Sequence, residues 1–139
     1  MSTIGEQGEA LVGTWLETKQ AKVLHYRWRS RQAEVDIIAE KSDGTLLFIE
    51  VKTRSAKNWD TDGLLAVTTR KQAKILQGAA MFVGLHPEFA DRACRFDVAL
   101  VRRMAAHKTF VGKTLGSVCL ENGEYLHLIQ YLPAAFDAL

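Results

Sequence analysis

Ala33-Glu34-Val35-Asp36-Ile37-Ile38-Ala39-Glu40, Lys41-Ser42-Asp43-Gly44-Thr45 and Leu46-Leu47-Phe48-Ile49-Glu50-Val51-Lys52 form one continuous stretch of the chain. Two runs rich in Val, Ile, Leu and Phe flank the Ser42-Asp43-Gly44 turn signal, a pattern that predicts two antiparallel strands joined by a hairpin. The charges are out of place for such strands. Asp36 interrupts the first apolar run, and Glu50 and Lys52 stand near the end of the second, where further Val or Ile would be usual.

Loop length sets the register. A three-residue loop, a type I turn followed by Gly44 in the left-handed conformation, pairs Lys41 with Thr45. Counting back, Asp36 faces Glu50 and Glu34 faces Lys52. A two-residue loop at Asp43-Gly44 would shift the pairing by one and set Asp36 opposite Val51, away from Glu50. The first register is preferred because it alone gathers the charges on one face. It carries a cost, since carboxylates directly across a strand pair have Cβ atoms roughly 5 Å apart and repel. A divalent cation such as magnesium, which accepts one or two carboxylates plus water and phosphate oxygens, would offset that repulsion. Lys52 shares a strand face with Glu50, so its amine is available to a phosphate or an attacking water.

At 139 residues, 47% hydrophobic and 24% charged, the composition fits one globular domain spanning 1–139. A net charge of +2 is too small to identify a nucleic-acid partner, so the distribution of charge matters more. Cys94 and Cys119 form no Cys-x-x-Cys pair and are read as buried or incidental thiols of a reducing compartment. The first residues lack the basic and apolar regions of a signal peptide and no run reaches membrane-spanning length, so a cytoplasmic protein with no membrane partner is expected. The histidines at 25, 86, 107 and 127 show no metal-ligand spacing. No phosphate-binding glycine loop and no internal repeat is present.

Ile4, Gly8, Leu11, Val12, Trp15 and Leu16 recur at helical spacing, predicting a helix to about Lys19 packed on a sheet. Glu9 sits at the edge of that stripe, where an inward-reaching acid and a glutamate favoured by the helix dipole are equal readings. Lys19, Lys22, Arg27, Arg29 and Arg31 follow without an acidic residue between them. Leu24, Tyr26 and Trp28 alternate there with His25, Arg27 and Arg29, predicting a strand with one buried and one basic face. That face reads first as a charge-protected sheet edge and second as a track for a phosphate backbone.

Beyond Lys52 a polar loop carries Arg54, Lys57 and Trp59, candidates for contact with a nucleic-acid strand, with a hinge packed on the core an equal reading for Trp59. Thr68 or Thr69 caps a second predicted helix from about Arg70 to Val83, with Ala73, Leu76, Ala79, Ala80 and Val83 toward the sheet. Arg70, Lys71 and Lys74 occupy its first turns, where the dipole disfavours cations and a bound phosphate would relieve the cost. For Gln72 and Lys74 a solvated helix face is an equal reading. Arg95 to Val101 is a further strand with Asp97 on its own face. Glu121-Asn122-Gly123 marks a last hairpin, in a tail read as sheet completion or a dimer surface.

Asp36 followed by Glu50-Val51-Lys52 resembles the Asp…Glu-x-Lys core of the PD-(D/E)xK nucleases. Gly5…Gly8-Glu9, Glu34-Val35-Asp36, Phe48-Ile49-Glu50-Val51-Lys52-Thr53-Arg54, Lys71-Gln72 and Arg95-Phe96-Asp97-Val98 together resemble the YraN-like family within that superfamily, which is similar to the archaeal Holliday-junction resolvases. The chain departs from the family pattern at Ala33, where glycine is common, and at Arg27, where asparagine is common. The resemblance implies an α/β restriction-endonuclease-like core, a mixed central β-sheet flanked by helices. It implies a Mg2+- or Mn2+-dependent phosphodiesterase acting on DNA, branched or otherwise, and acting as a homodimer if two-fold junctions are cut. Asp36, Glu50 and the Val51 carbonyl would hold the ion with Glu9 assisting, Lys52 would orient water and stabilise phosphate charge, and Glu34 would orient Lys52. Lys71 and Gln72 would approach the site. A non-cleaving DNA-binding module and a protein-interaction domain with a structural ion-pair network are the alternatives.

Overall fold

A computed structural model describes residues 2–55, 68–108 and 110–136. Helix α1 (Ile4–Thr18) is followed by strands β1 (Lys22–Arg29), β2 (Glu34–Glu40) and β3 (Leu46–Ser55). Helix α2 (Thr69–Leu85), a 3-10 turn (Pro87–Phe89) and strands β4 (Cys94–Met104), β5 (Gly116–Cys119) and β6 (Tyr125–Phe136) complete the order. The strands form one six-stranded sheet in the order β1-β2-β3-β4-β6-β5. Only β3 and β4 run parallel; the other neighbours are antiparallel, so the sheet is mixed, and the fold is the restriction-endonuclease-like α/β core that the sequence predicts.

The three-residue hairpin is present. Lys41 N donates to Thr45 O and Gly44 N to Lys41 O, each at 2.9 Å, with Gly44 at φ 91°. Glycine adopts that conformation without the Cβ penalty other residues carry. The ladder then pairs Glu40 with Leu46 and Ile37 with Ile49. Carried one residue further, it sets Asp36 across from Glu50.

Each face of the sheet carries one helix. Leu11, Val12 and Leu16 of α1 pack on Ile37, Ala39, Leu47, Ile49, Ala99 and Val101. Ile75, Ala79 and Phe82 of α2 pack on Val35, Ile38, Leu46, Phe48 and Phe96. The α1 stripe matches its sequence reading, and Thr3 closes it with a capping box to Glu6. The α2 stripe is rotated from expectation: Ile75, Gly78, Ala79 and Phe82 are buried, while Ala73 and Ala80 face outward. Ile75 and Phe82 bury more apolar area than the alanines, and their seven-residue spacing returns them to one face, so they take the sheet-facing positions. Thr68 is the cap, its side chain accepting from Lys71 N.

The simple alternation expected of β1 fails. A bulge lies between Val23 and His25, and Arg27 adopts a left-handed φ of 50°. Trp28 therefore packs with the α2 cluster while Tyr26, two residues earlier, lies against Gly13 of α1. The basic residues of β1 are split between environments rather than lined along one face. Strands β5 and β6 complete the sheet as the tail reading anticipated, joined through Gly123 at φ 88°. Cys94 and Cys119 are unpaired and lie at exposed positions rather than in the core. No helix among the described residues is long and apolar enough to cross a membrane.

Phe82 is fully buried, with its ring beside those of His25, Trp28, Phe48, His86 and Phe89. Phe82→Ala is expected to cost about 3–5 kcal/mol, read as a lowered midpoint of urea unfolding. A change below about 1 kcal/mol would mean that α2 does not depend on this anchor.

Candidate active site

The site forms where β2 parts from β3. After Ile37↔Ile49 the ladder stops, and Val51 N donates instead to Asp36 Oδ2 at 2.8 Å. A carboxylate has taken the place of a main-chain acceptor. In an extended strand the N–H and C=O of one residue point to the same side, so the Val51 carbonyl faces the same gap. Alternation along β2 breaks here too, since Val35 packs on the α2 side and Ile37, two residues on, on the α1 side.

Glu50 is almost fully buried, 3% exposed, on the α2 side of the strand. Lys52 Nζ lies 3.3 Å from Glu50 Oε1, as two residues on one strand face allow. Lys71 Nζ reaches the same oxygen, also at 3.3 Å, from the first turn of α2. That turn holds no acidic residue, and Glu50 supplies the anion that its cations lack. Asp36 is the strained member. Burial, then the adjacent Glu50 charge, push its carboxyl up to about 8, against the lowering effect of the Val51 N–H. Two carboxylates so close, with one driven to hold a proton, form a donor set suited to a hard divalent cation.

Helix α1 reaches the site through Glu9, which is 6% exposed. A Cβ on Gly8 would stand 2.4 Å from Thr53 Oγ1, so glycine is what lets α1 press onto β3 beside Lys52. Arg27 Nε donates to Glu9 Oε1 at 2.9 Å. Burial raises the Glu9 pKa and the Arg27 hydrogen bond works against it. The left-handed backbone at Arg27 costs on the order of 1–2 kcal/mol, and the charge-assisted bond to Glu9 offsets it. Glu9 thus stands within electrostatic reach of Asp36 while already holding a cation. Among the described residues no three His, Cys, Asp or Glu side chains gather to hold a metal, so the candidate donors are Asp36, Glu50 and the Val51 carbonyl.

The remaining expected residues fall at varied distances. Glu34 pairs with Arg29 at 3.7 Å instead of orienting Lys52, because β2 leaves β3 after Ile37 but stays with β1 to Glu34↔Arg29. Arg29, Lys71 and Lys74 line one open cleft of about 400 Å³ together with Glu34. Arg31 and Arg70 are exposed, Gln72 is half-buried, and Arg54 donates to the Thr53 carbonyl at 2.9 Å. Lys57 and Trp59 lie outside the described residues.

Asp97 is fully buried on β4, between β3 and β6. It accepts two bonds from Arg95 at 2.9 Å, one from Tyr131 Oη, and one from Ala134 N at 2.9 Å. Four donors satisfy the buried charge. Pro133 and the left-handed Ala134, φ 51°, bend β6 so that the Ala134 N–H meets Asp97. No local pattern in the sequence forecasts that meeting.

The model of the uncharacterised protein family UPF0102 matches residues 8–101, the span from α1 to β4 that builds the site. A UPF0102 protein of Synechocystis sp. is 42% identical over 148 residues, covering 98% of this chain and 99% of its own. One of Thermosynechococcus vestitus is 40% identical over 136 residues, covering 98% and 95%.

The Asp36 carboxyl gives a pH test. Its folded-state value of about 8 lies above the ordinary 3.8, so the folded chain holds a proton that the unfolded chain has released throughout that window. Its contribution to stability is complete below the lower value and is lost as pH rises through the upper one. The melting temperature of chelator-treated protein is expected to fall from about pH 6 to about pH 8.5, and Asp36→Asn to flatten that fall. An unchanged slope in the variant would mean that Asp36 does not carry the titration.

Proposed function

We propose that this chain, which belongs to the uncharacterised UPF0102 or YraN-like family, is a divalent-metal-dependent phosphodiesterase that cleaves DNA in the cytoplasm. The observation that carries the reading is the pair of carboxylates, half-buried Asp36 and buried Glu50, side by side at a break in the β2–β3 ladder with Lys52 against them. A structural role alone does not require two adjacent acids withdrawn from water, whose desolvation and repulsion are both unfavourable.

Asp36, Glu50 and the Val51 carbonyl would hold magnesium or manganese, which when bound supplies Lewis acidity toward a phosphate and eases ionisation of water. Lys52 donates hydrogen bonds to the scissile phosphate and to the attacking water, and its charge stabilises the negative charge that develops on phosphate oxygens. Because it is mostly buried against Glu50, it does so with little freedom to lose. Lys71, more exposed, contacts the flanking phosphate at the open side. Arg29 and Lys74 line the same open cleft as Lys71, a basic lining suited to a phosphate backbone.

A second reading, a structural ion-pair network, draws on the two lysines already neutralising Glu50. Metal separates the two. At 100 times Kd a bound ion adds about 2.7 kcal/mol of stability, so magnesium is expected to raise the melting temperature of wild type and not of Asp36→Ala. With branched and linear DNA and added magnesium, wild type is expected to cleave, and Lys52→Ala to cleave on the order of 100-fold more slowly or worse. Cleavage that persists undiminished in Asp36→Ala and Lys52→Ala would identify a contaminant. Lys71→Ala is expected to weaken DNA binding evenly across sequences and to reduce the salt slope by about one.

A further inference from the structure

We propose that Arg27 is a built-in counter-cation for Glu9, holding that carboxylate back from the ion at Asp36 and Glu50 and so setting the metal affinity of the site. The inference rests on the two-carboxylate reading above and adds a residue that regulates it. Register pairs Tyr26 with Ile37 and Trp28 with Val35, which sets Arg27 across from Asp36 in a gap of the β1–β2 ladder. The Arg27 backbone therefore lies across from that of Asp36, while its guanidinium reaches Glu9 on α1.

The backbone is specialised for this contact. Arg27 is one of three non-glycine residues with left-handed φ among the described residues, at 50°, and that turn breaks the strand alternation and sends its side chain toward α1. There Nε meets Glu9 Oε1 at 2.9 Å. Glu9 is nearly buried, whereas the Arg27 side chain is about a third exposed, so the arginine is the partner able to withdraw toward solvent. Glu9 also lies within electrostatic reach of the Asp36 carboxylate. With Arg27 in place the Glu9 charge is answered by a guanidinium. Without it, a buried anion within electrostatic reach of Asp36 has a divalent cation as its best available partner.

Arginine suits the task because it stays charged at any working pH and its planar fork bonds a carboxylate in fixed geometry. A cation supplied by the chain also lowers the repulsion that Glu9 would add to the acid pair when no metal is bound. The result is a site that folds without metal and binds it less tightly than three acids would.

Titration calorimetry of the full chain with manganese tests the proposal. Arg27→Gln is expected to bind manganese about fivefold more tightly or better than wild type, and adding Glu9→Gln is expected to remove that gain. Arg27→Lys, which keeps the charge, is expected to stay near wild-type affinity. The manganese-induced rise in melting temperature should be largest in Arg27→Gln. A folded Arg27→Gln that binds no more tightly than wild type overturns the proposal, as does a gain that survives Glu9→Gln. Should Arg27→Gln be unfolded without metal, refolding by manganese that requires Glu9 supports it, and failure to refold overturns it. Manganese binding by wild type that is lost in Asp36→Ala but indifferent to Arg27 sinks this inference alone. No manganese binding by any variant sinks the two-carboxylate reading with it.

Discussion

Two acidic side chains that repel each other are held together in a space from which water is largely excluded, and much of the molecule is arranged so that they stay there. Asp36 and Glu50 meet because the ladder between β2 and β3 runs in one register from the Gly44 turn and then opens. A carboxylate accepting the Val51 N–H at the opening does two things at once. It satisfies a donor that would otherwise lose its partner, and it fixes the direction of an acid that would otherwise turn toward solvent.

The cations around the pair come from three different elements. Lys52 arrives along β3 itself, Lys71 from the start of α2, and Arg27 from a twisted position in β1 by way of Glu9 on α1. Each approach depends on apolar packing some distance away. The rings around Phe82 fix α2 against the sheet, and Gly8 lets α1 touch Thr53. The hydrophobic layers thus supply the rigidity, and the charged groups take their geometry from it. The second half of the sheet contributes differently. Asp97, with its four donors, ties β4 to the bent end of β6 and leaves no spare valence for chemistry.

The readable parts of the sequence were those governed by local rules. A turn of the form Ser42-Asp43-Gly44 has few backbone solutions, and once Gly44 takes the left-handed one the pairing of Asp36 with Glu50 follows by counting. The α1 stripe, the Thr68 cap and the Gly123 hairpin obey rules of the same reach. Where two local solutions competed, the sequence was a poorer guide. The α2 face went to Ile75 and Phe82 because they bury more area than the alanines, a comparison that only a partner surface can decide.

By itself, then, the order of residues determined the hairpin and the gathering of Asp36, Glu50 and Lys52, because turn chemistry leaves few registers and only one of them brings the charges to one face. Tertiary structure alone decided that Glu34 answers Arg29, that Glu9 answers Arg27, that Lys71 answers Glu50, and that Asp97 is buried. Those partnerships join residues from separate elements. They are set by where β2 leaves β3, by a left-handed residue in β1 and by the seating of two helices, and no spacing along the chain encodes any of these.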